Sequence, residues 1–285
     1  MAVNATYQEH TNRLALGLEV LDAVSQRQVV YPLRADVEYG LPHQSPRPSK
    51  QFNFSQQAGH LPLAMTRHDS GRYSLVYQAG LQDHIDLRLF DYYRQYVPRR
   101  LRVPLLTLQT VFDIETNQEA EYVRGRGRKP VIFPGAGYDL MSKATGLRGR
   151  VLRDGEPMPW VWVEAYSALD DELVGRARGD ERGEFLLLLN PMVAGAGDLS
   201  AIYSVTVRIF GPQIPLSPSP LDLPDVDALW NLPLEEISAV GDPDAVSAGE
   251  NLPDGYVEGA SAVVPCQIGR VLTGVDTADF VFTVA

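Results

Sequence analysis

Five histidines, His10, His43, His60, His68 and His84, are the residues of this chain best suited to metal or proton chemistry. A metal site needs several of them to converge, and no HxxxH or HExxH spacing places two on one helical face. His60 and His68 flank a proline-containing stretch beside Asp69 and Ser70, which leaves a metal site or a His–Asp–Ser arrangement to be weighed against plain turn and surface histidines. The second reading asks for no special environment and is the one adopted. Cys266, the single cysteine, follows Pro265 with no histidine nearby and reads as a small buried apolar residue. Asp170-Asp171-Glu172 lacks the spacing and glycine of a calcium loop and reads as a solvated hairpin tip. There is no GxSxG elbow, Walker loop or Rossmann fingerprint, and Gly125-Arg-Gly127-Arg has no strand–turn–helix context around it. No catalytic residue, metal or cofactor is therefore assigned, and an enzyme is not expected.

Two other groups suit binding. The tract Arg124-Gly-Arg126-Gly-Arg128-Lys129 is backed by Arg99, Arg100 and Arg102. Alternating Arg and Gly is compatible with single-stranded nucleic acid, but no aromatics interleave to stack on bases. The tract otherwise reads as an exposed linker, or as a surface that docks on an acidic protein through bidentate guanidinium–carboxylate pairs. The run Asp91-Tyr92-Tyr93-Arg94-Gln95-Tyr96 offers an aromatic cluster beside an arginine. It reads as packing over the end of a sandwich, as a protein interface, or as a sugar platform. Arg99, Arg100, Arg102, Arg124, Arg126, Arg128, Lys129, Tyr92 and Tyr93 are the expected protein-contact residues, with other subunits of an assembly, or further copies of this chain, as partners.

Charge sharpens that expectation. The chain has a formal net charge of −11, and residues 213–285 hold twelve acids against the single Arg270, so the whole excess lies there. A field of that sign disfavours broad nucleic-acid binding, because counterion release needs clustered unpaired cations. An acidic segment of one copy serving the basic tract of its neighbour is the arrangement this asymmetry suggests. Met1–His10 shows neither a basic nor an apolar signal region, and no stretch is apolar enough for a membrane span; a cytoplasmic location, with release as part of a particle, is expected.

Strands must position these residues. At 285 residues the chain has room for two domains at about 100–200 residues each. With 24 Gly and 21 Pro, it is punctuated too often for long helices. Ile85, Leu87 and Leu89 alternate with Asp86 and Arg88, a half-buried strand pattern. Trp160, Trp162, Glu164 and Tyr166 alternate with Val161, Val163 and Ala165 over a strand read as Trp160–Tyr166, and the apolar run Glu184–Leu189 predicts a strand covered on both faces. Residues 101–108 read as a further strand, the Pro-, Gln- and Ser-rich stretch from Gly40 to Gly59 as a long loop, and 213–258 as an extended, solvated acidic arm. Strands resume at 262–272 and 280–284, placed as a terminal hairpin. A weak internal repeat relates Asp69-Ser-Gly71-Arg-Tyr73 to Asp180-Glu-Arg-Gly183-Glu-Phe185, each an acidic turn, a glycine and an aromatic opening a strand.

The residues Gly149-Arg-Val151, Asp154-Gly155, Pro157 or Pro159, Val161–Ala165 and Asp180-Glu-Arg-Gly183-Glu-Phe185 resemble the carboxypeptidase regulatory-like domain, a transthyretin-like β-sandwich. The likeness covers about residues 146–211 and departs at Trp160 and Trp162, where that family carries smaller side chains. It implies a folding partner, spacer or binding module and brings no catalytic residue. The wider order is a first unit opening Leu16-Gly-Leu18-Glu-Val-Leu-Asp22-Ala-Val-Ser-Gln-Arg27, then a basic linker, Phe133-Pro-Gly135 and the regulatory-like unit. It looks like accessory proteins of phage-tail-like contractile injection particles. The fold expected is all-β. An immunoglobulin-like sandwich over 1–110 and a basic linker over 111–145 precede a regulatory-like sandwich over 146–212 and an acidic Pro-rich arm with terminal strands over 213–285. The function expected is a non-enzymatic structural or adaptor component of such a particle. The alternative is an adhesive module recognising a carbohydrate or surface polymer.

Overall fold

The computed structural model describes residues 13–38, 63–77, 81–117, 127–140, 143–190, 202–213, 229, 231–238, 244–273 and 280–283. In the first half they form β1 (Leu14–Leu18), β2 (Leu21–Asp22), β3 (Arg34–Glu38), β4 (Leu63–Ala64), β5 (Thr66–Arg67), β6 (Tyr73–Val76), β7 (His84–Phe90) and β8 (Arg99–Pro104). Helix α1 (Leu108–Asn117), β9 (Gly127–Arg128) and β10 (Val131–Ile132) follow. The second half holds β11 (Gly146–Arg153), β12 (Glu156–Pro157), β13 (Trp162–Ser167), β14 (Leu173–Arg178), β15 (Glu184–Leu188) and β16 (Ile202–Pro212). Last come β17 (Leu234–Glu236), β18 (Tyr256–Gln267), β19 (Val271–Leu272) and β20 (Phe280–Val281). The protein is predominantly β, as its composition requires. The loop expected over Gly40–Gly59 lies outside the described residues.

The first core lies between the sheet β5-β6-β1-β9 and the sheet β17-β8-β7-β3-β4. Leu16 and Leu18 of β1 and Tyr73 and Leu75 of β6 meet Ile85, Leu87 and Leu89 of β7 and Leu101 and Val103 of β8. The second core lies between the sheet β14-β13-β16-β18 and β11 with its neighbours β12, β15, β19 and β20. Val161, Val163 and Ala165 turn into it, as their alternation with Trp162, Glu164 and Tyr166 predicts. Phe185, Leu186 and Leu187 are buried in succession, so β15 is indeed covered on both faces. A small third cluster, Phe90, Trp160, Leu229 and Leu232, joins the two halves.

Three expectations change. Residues 108–117 form a helix, capped where Thr107 Oγ1 accepts a hydrogen bond from Thr110 N at 3.0 Å. Within the expected linker, β9 and β10 pair in parallel with β1 and β2, and Val131 and Ile132 are buried. The described part of the expected arm is drawn into both cores. β17 adds a parallel strand to β8, β18 pairs antiparallel with β16, and β19 and β20 both lie parallel to β11 rather than forming a terminal hairpin. The physical reason is that Leu232, Glu235 and Ile237 find apolar or oppositely charged partners there, so burial outweighs solvation.

The internal repeat has a structural counterpart. The strand opened by each acidic turn, β6 or β15, pairs antiparallel with the first strand of its half, β1 or β11. Asp180 Oδ1 accepts hydrogen bonds from Arg182 N (2.9 Å) and Glu184 N (3.0 Å), which closes the second turn over a glycine at positive φ. A Cβ at Gly183 would sit 2.6 Å from Met158 O and 2.7 Å from Val151 O, whereas one at Gly71 would meet first the movable Gln28 side chain at 2.9 Å. Gly71→Ala is therefore expected to cost about 1 kcal/mol from backbone strain alone, and Gly183→Ala about 3 kcal/mol because backbone oxygens must also give way. Urea unfolding of the two variants measures that difference.

Candidate functional site

Strand β8 carries Arg99, Leu101 and Val103 on its inner face, and Arg100 and Arg102 on the other. Arg99 is fully buried. Its Nε and Nη2 donate to Glu235 Oε1 (3.1 Å) and Oε2 (2.8 Å), Nη1 donates to Val131 O (2.6 Å) and Ser247 O (3.2 Å), and Nη2 also donates to Val246 O (2.6 Å). All five N–H groups of the guanidinium thus have acceptors. Arg178, at the end of β14, donates to the same carboxylate through Nη1 and Nη2, both at 2.7 Å. Its guanidinium lies 5.2 Å from the Phe133 ring centre and 4.9 Å from that of Trp162.

Residues from the first half, the second half and the C-terminal segment therefore meet at one ion cluster. Burial alone would raise the Glu235 pKa, but the Arg178 and Arg99 guanidiniums and their hydrogen bonds outweigh it and hold the carboxyl at about 2. Burial lowers the Arg99 pKa, against the pull of Glu235. Asp244 pins the same segment: Oδ2 accepts from Ser238 N (2.9 Å) and Oγ (2.5 Å), and Oδ1 from Ser247 N (2.7 Å).

A second feature opens to solvent beside this junction. Asp91 caps the loop after β7, accepting at Oδ1 from Tyr93 N (2.7 Å) and Gln95 N (3.3 Å) and at Oδ2 from Tyr96 N (2.9 Å). Arg94 sits at φ 57°, in the left-handed region. Residues 135–137 pack so closely that a Cβ at Gly135 would lie 2.5 Å from Arg94 O and one at Gly137 2.4 Å from Tyr93 O. Gly135 N and Gly137 N donate to Gln95 O (2.8 Å) and Arg94 O (2.7 Å). The loop so held presents Tyr92 and Tyr93, 60% and 75% exposed. Arg94 reaches across to Glu181 at 2.5 Å, and a crevice of about 150 Å³ opens between Phe90, Tyr92, Arg94, Asp180, Glu181 and Leu229.

The expected contact residues are thus dispersed. Arg99 is consumed inside the fold, the correction its inward register on β8 demands. Arg102 pairs with Asp86 (2.9 Å) and Glu236 (3.1 Å), and Arg100 lies opposite Leu234 on β17. Glu235 and Glu236 of the C-terminal segment thus pair with Arg99 and Arg102 within one chain, whereas the pairing expected between copies concerns the tract 124–129. Arg128 is buried and Lys129 exposed, while Arg124 and Arg126 lie outside the described residues. Tyr92 and Tyr93 remain at the surface. Glu235 and Arg178 are not among the expected contact residues; the signal in the sequence is the alternation Arg99, Leu101, Val103, which points one arginine inward. Among the described residues no group of three or more His, Cys, Asp or Glu side chains could hold a metal. His68 Nε2 lies 2.9 Å from Ser74 Oγ rather than serving Ser70, and Cys266 is buried. Among the described residues no helix is long and apolar enough to cross a membrane.

No protein-family model and no curated protein matches the sequence. Three solved structures show slight similarity. A 9R-lipoxygenase from Cyanothece PCC8801 is 12% identical with a TM-score of 0.21; the match covers 62% of this chain and 20% of that one. A minor pilin of Streptococcus agalactiae is 9% identical, covering 95% of this chain and 98% of that one, with a TM-score of 0.22. A shaft pilin of Lactobacillus rhamnosus GG is 9% identical, covering 96% and 99%, with a TM-score of 0.18. Likenesses at this level carry no argument about fold or role.

Removing the central carboxylate should be costly. Glu235→Gln leaves two guanidiniums buried without a counter-charge and is expected to lower the unfolding free energy by about 3–5 kcal/mol, measured by denaturant titration at neutral pH. Because the folded carboxyl titrates at about 2, below its ordinary value of 4.5, its stabilisation is complete above the ordinary value and is lost as pH falls toward 2. The gap between the parent and Glu235→Gln should therefore close across that acid window and stay constant on its alkaline side.

Proposed function

We propose that this chain is a non-enzymatic structural or adaptor component of a multiprotein assembly. One observation carries the reading: Arg99, Glu235 and Arg178 lock three separate parts of the chain into a buried junction, which suits a rigid support gripped by neighbours. The other buried carboxylates favour the same view. Among the described residues, Asp22 accepts the hydroxyls of Tyr96 (3.0 Å) and Tyr138 (2.8 Å), and Glu164 takes Tyr166 (2.5 Å) and Arg176 (3.3 Å). Asp91, Asp180 and Asp244 are bound to backbone N–H groups. Each is spent on structure, whereas a general acid or base needs a carboxyl turned toward a substrate.

The finer form of the proposal rests on the sequence resemblances alone: two tandem sandwiches, the second regulatory-like, in a phage-tail-like contractile particle. Affinity purification of the tagged full chain from its native cells, followed by mass spectrometry, tests both levels. A reproducible set of other subunits at fixed stoichiometry is expected, and sheath or tube subunits among them would support the finer form. Recovery of the chain alone, as a monomer, would contradict an assembly role.

A further inference from the structure

We propose that the crevice lined by Tyr92, with Tyr93 exposed next to it on the same loop, binds an uncharged saccharide, as a site separate from the assembly role. The loop that carries these tyrosines is built at a cost: a buried Asp91 caps three backbone N–H groups, Arg94 takes a left-handed conformation, and Gly135 and Gly137 admit its carbonyls at distances no side chain would allow. Strain of this kind persists only where the surrounding structure enforces it, and it fixes outward-facing groups in place. What the loop fixes outward is a pair of aromatic rings. Tyr92 is further held by Arg34, whose Nη1 donates to its hydroxyl at 2.6 Å and whose guanidinium carbon lies 5.7 Å from its ring centre. Tyr93 is steadied by the Tyr31 ring at 6.3 Å, edge to face. Rings that order little on binding suit the C–H faces of a pyranose.

Charge pairing decides the class of ligand. Arg34 Nη2 is held by both carboxylate oxygens of Asp36 at 3.1 and 2.9 Å, Arg94 by Glu181 at 2.5 Å, and Asp180 by Arg182 at 3.1 Å. Each of these cations, of which Arg94 lines the crevice, already has a carboxylate partner, so an anionic ligand such as a nucleic acid or a phosphorylated polymer would have to break an ion pair to bind. Vicinal hydroxyls ask for the reverse, planar donors and acceptors side by side, which the Arg94–Glu181 pair supplies at the mouth of the crevice. A volume of about 150 Å³, walled by Phe90 and Leu229, is the size of one sugar ring.

A glycan array probed with the full chain, followed by calorimetric titration with cellotetraose, maltotetraose, chitotetraose or whichever neutral oligosaccharide scores, tests the site. Saturable binding of a neutral glycan, insensitive to salt, is expected. It should weaken about tenfold or more in Tyr92→Ala and again in Tyr93→Ala, a variant that loses no hydrogen bond among the described residues, while Phe112→Ala, an exposed ring elsewhere, binds as the parent does. Binding confined to anionic glycans, or no neutral glycan bound above the level of the Tyr92→Ala/Tyr93→Ala double variant, overturns the proposal. So does loss of co-purifying subunits from that double variant without any glycan binding by the parent, which would make the face a protein contact. Because the assembly role is read from co-purification of the parent chain, either proposal can fail while the other stands.

Discussion

Two guanidiniums and one carboxylate, removed from water together, hold this molecule in its observed arrangement. Arg99 brings the first core to the junction, Arg178 the second, and Glu235 arrives on a three-residue strand. Desolvating three charges is expensive, and a well-packed apolar trio could match the cluster in stability. Register is where the charges differ from an apolar trio. β17 pairs with β8 with Leu234 opposite Arg100, Glu235 opposite Leu101 and Glu236 opposite Arg102. A slip of one residue would turn Glu235 outward and leave both arginines buried without it, a larger penalty than turning a single apolar side chain out to water.

The same contact explains where the acidic excess of the C-terminal segment goes. Glu235 and Glu236 meet Arg99 and Arg102, and Asp244 binds Ser238 and Ser247 so that the carbonyls of residues 246 and 247 face Arg99. Around this frame the aromatic residues complete the junction. Phe133 and Trp162 meet edge to face at 6.1 Å with the Arg178 guanidinium over both rings, and Trp160 donates its indole N–H to Asn231 Oδ1 at 2.7 Å while its carbonyl accepts the Tyr256 hydroxyl at 2.7 Å. Trp160 and Trp162, the two residues at which the second half departs from the regulatory-like pattern, are thus the ones that face the junction.

Rigidity at the junction also gives the neighbouring surface its character. The loop 91–96 is bound to residues 133–137 by backbone hydrogen bonds, and the crevice takes walls from both halves and from Leu229 of the C-terminal segment. A surface assembled from three parts of a chain keeps its shape only if those parts cannot slide. The buried charge cluster and the exposed tyrosines are therefore linked: the first preserves the geometry that the second presents.

Much of this was legible locally. Alternation alone placed Val161, Val163 and Ala165 on an inner face, and the spacing of Asp180, Gly183 and Phe185 announced a turn into a buried strand, because side-chain period and turn chemistry depend on neighbours in sequence. Location of the net charge needed only counting. The inward direction of Arg99 was also written in its alternation with Leu101 and Val103, but what it meets was not. Glu235 lies 136 residues away and reaches β8 in a parallel pairing that no turn dictates, so only the closing of both cores around the returning segment decides that these charges neutralise one another. A sequence records the order of its charges along one dimension, whereas the energy of pairing them depends on distance and on exclusion of water in three.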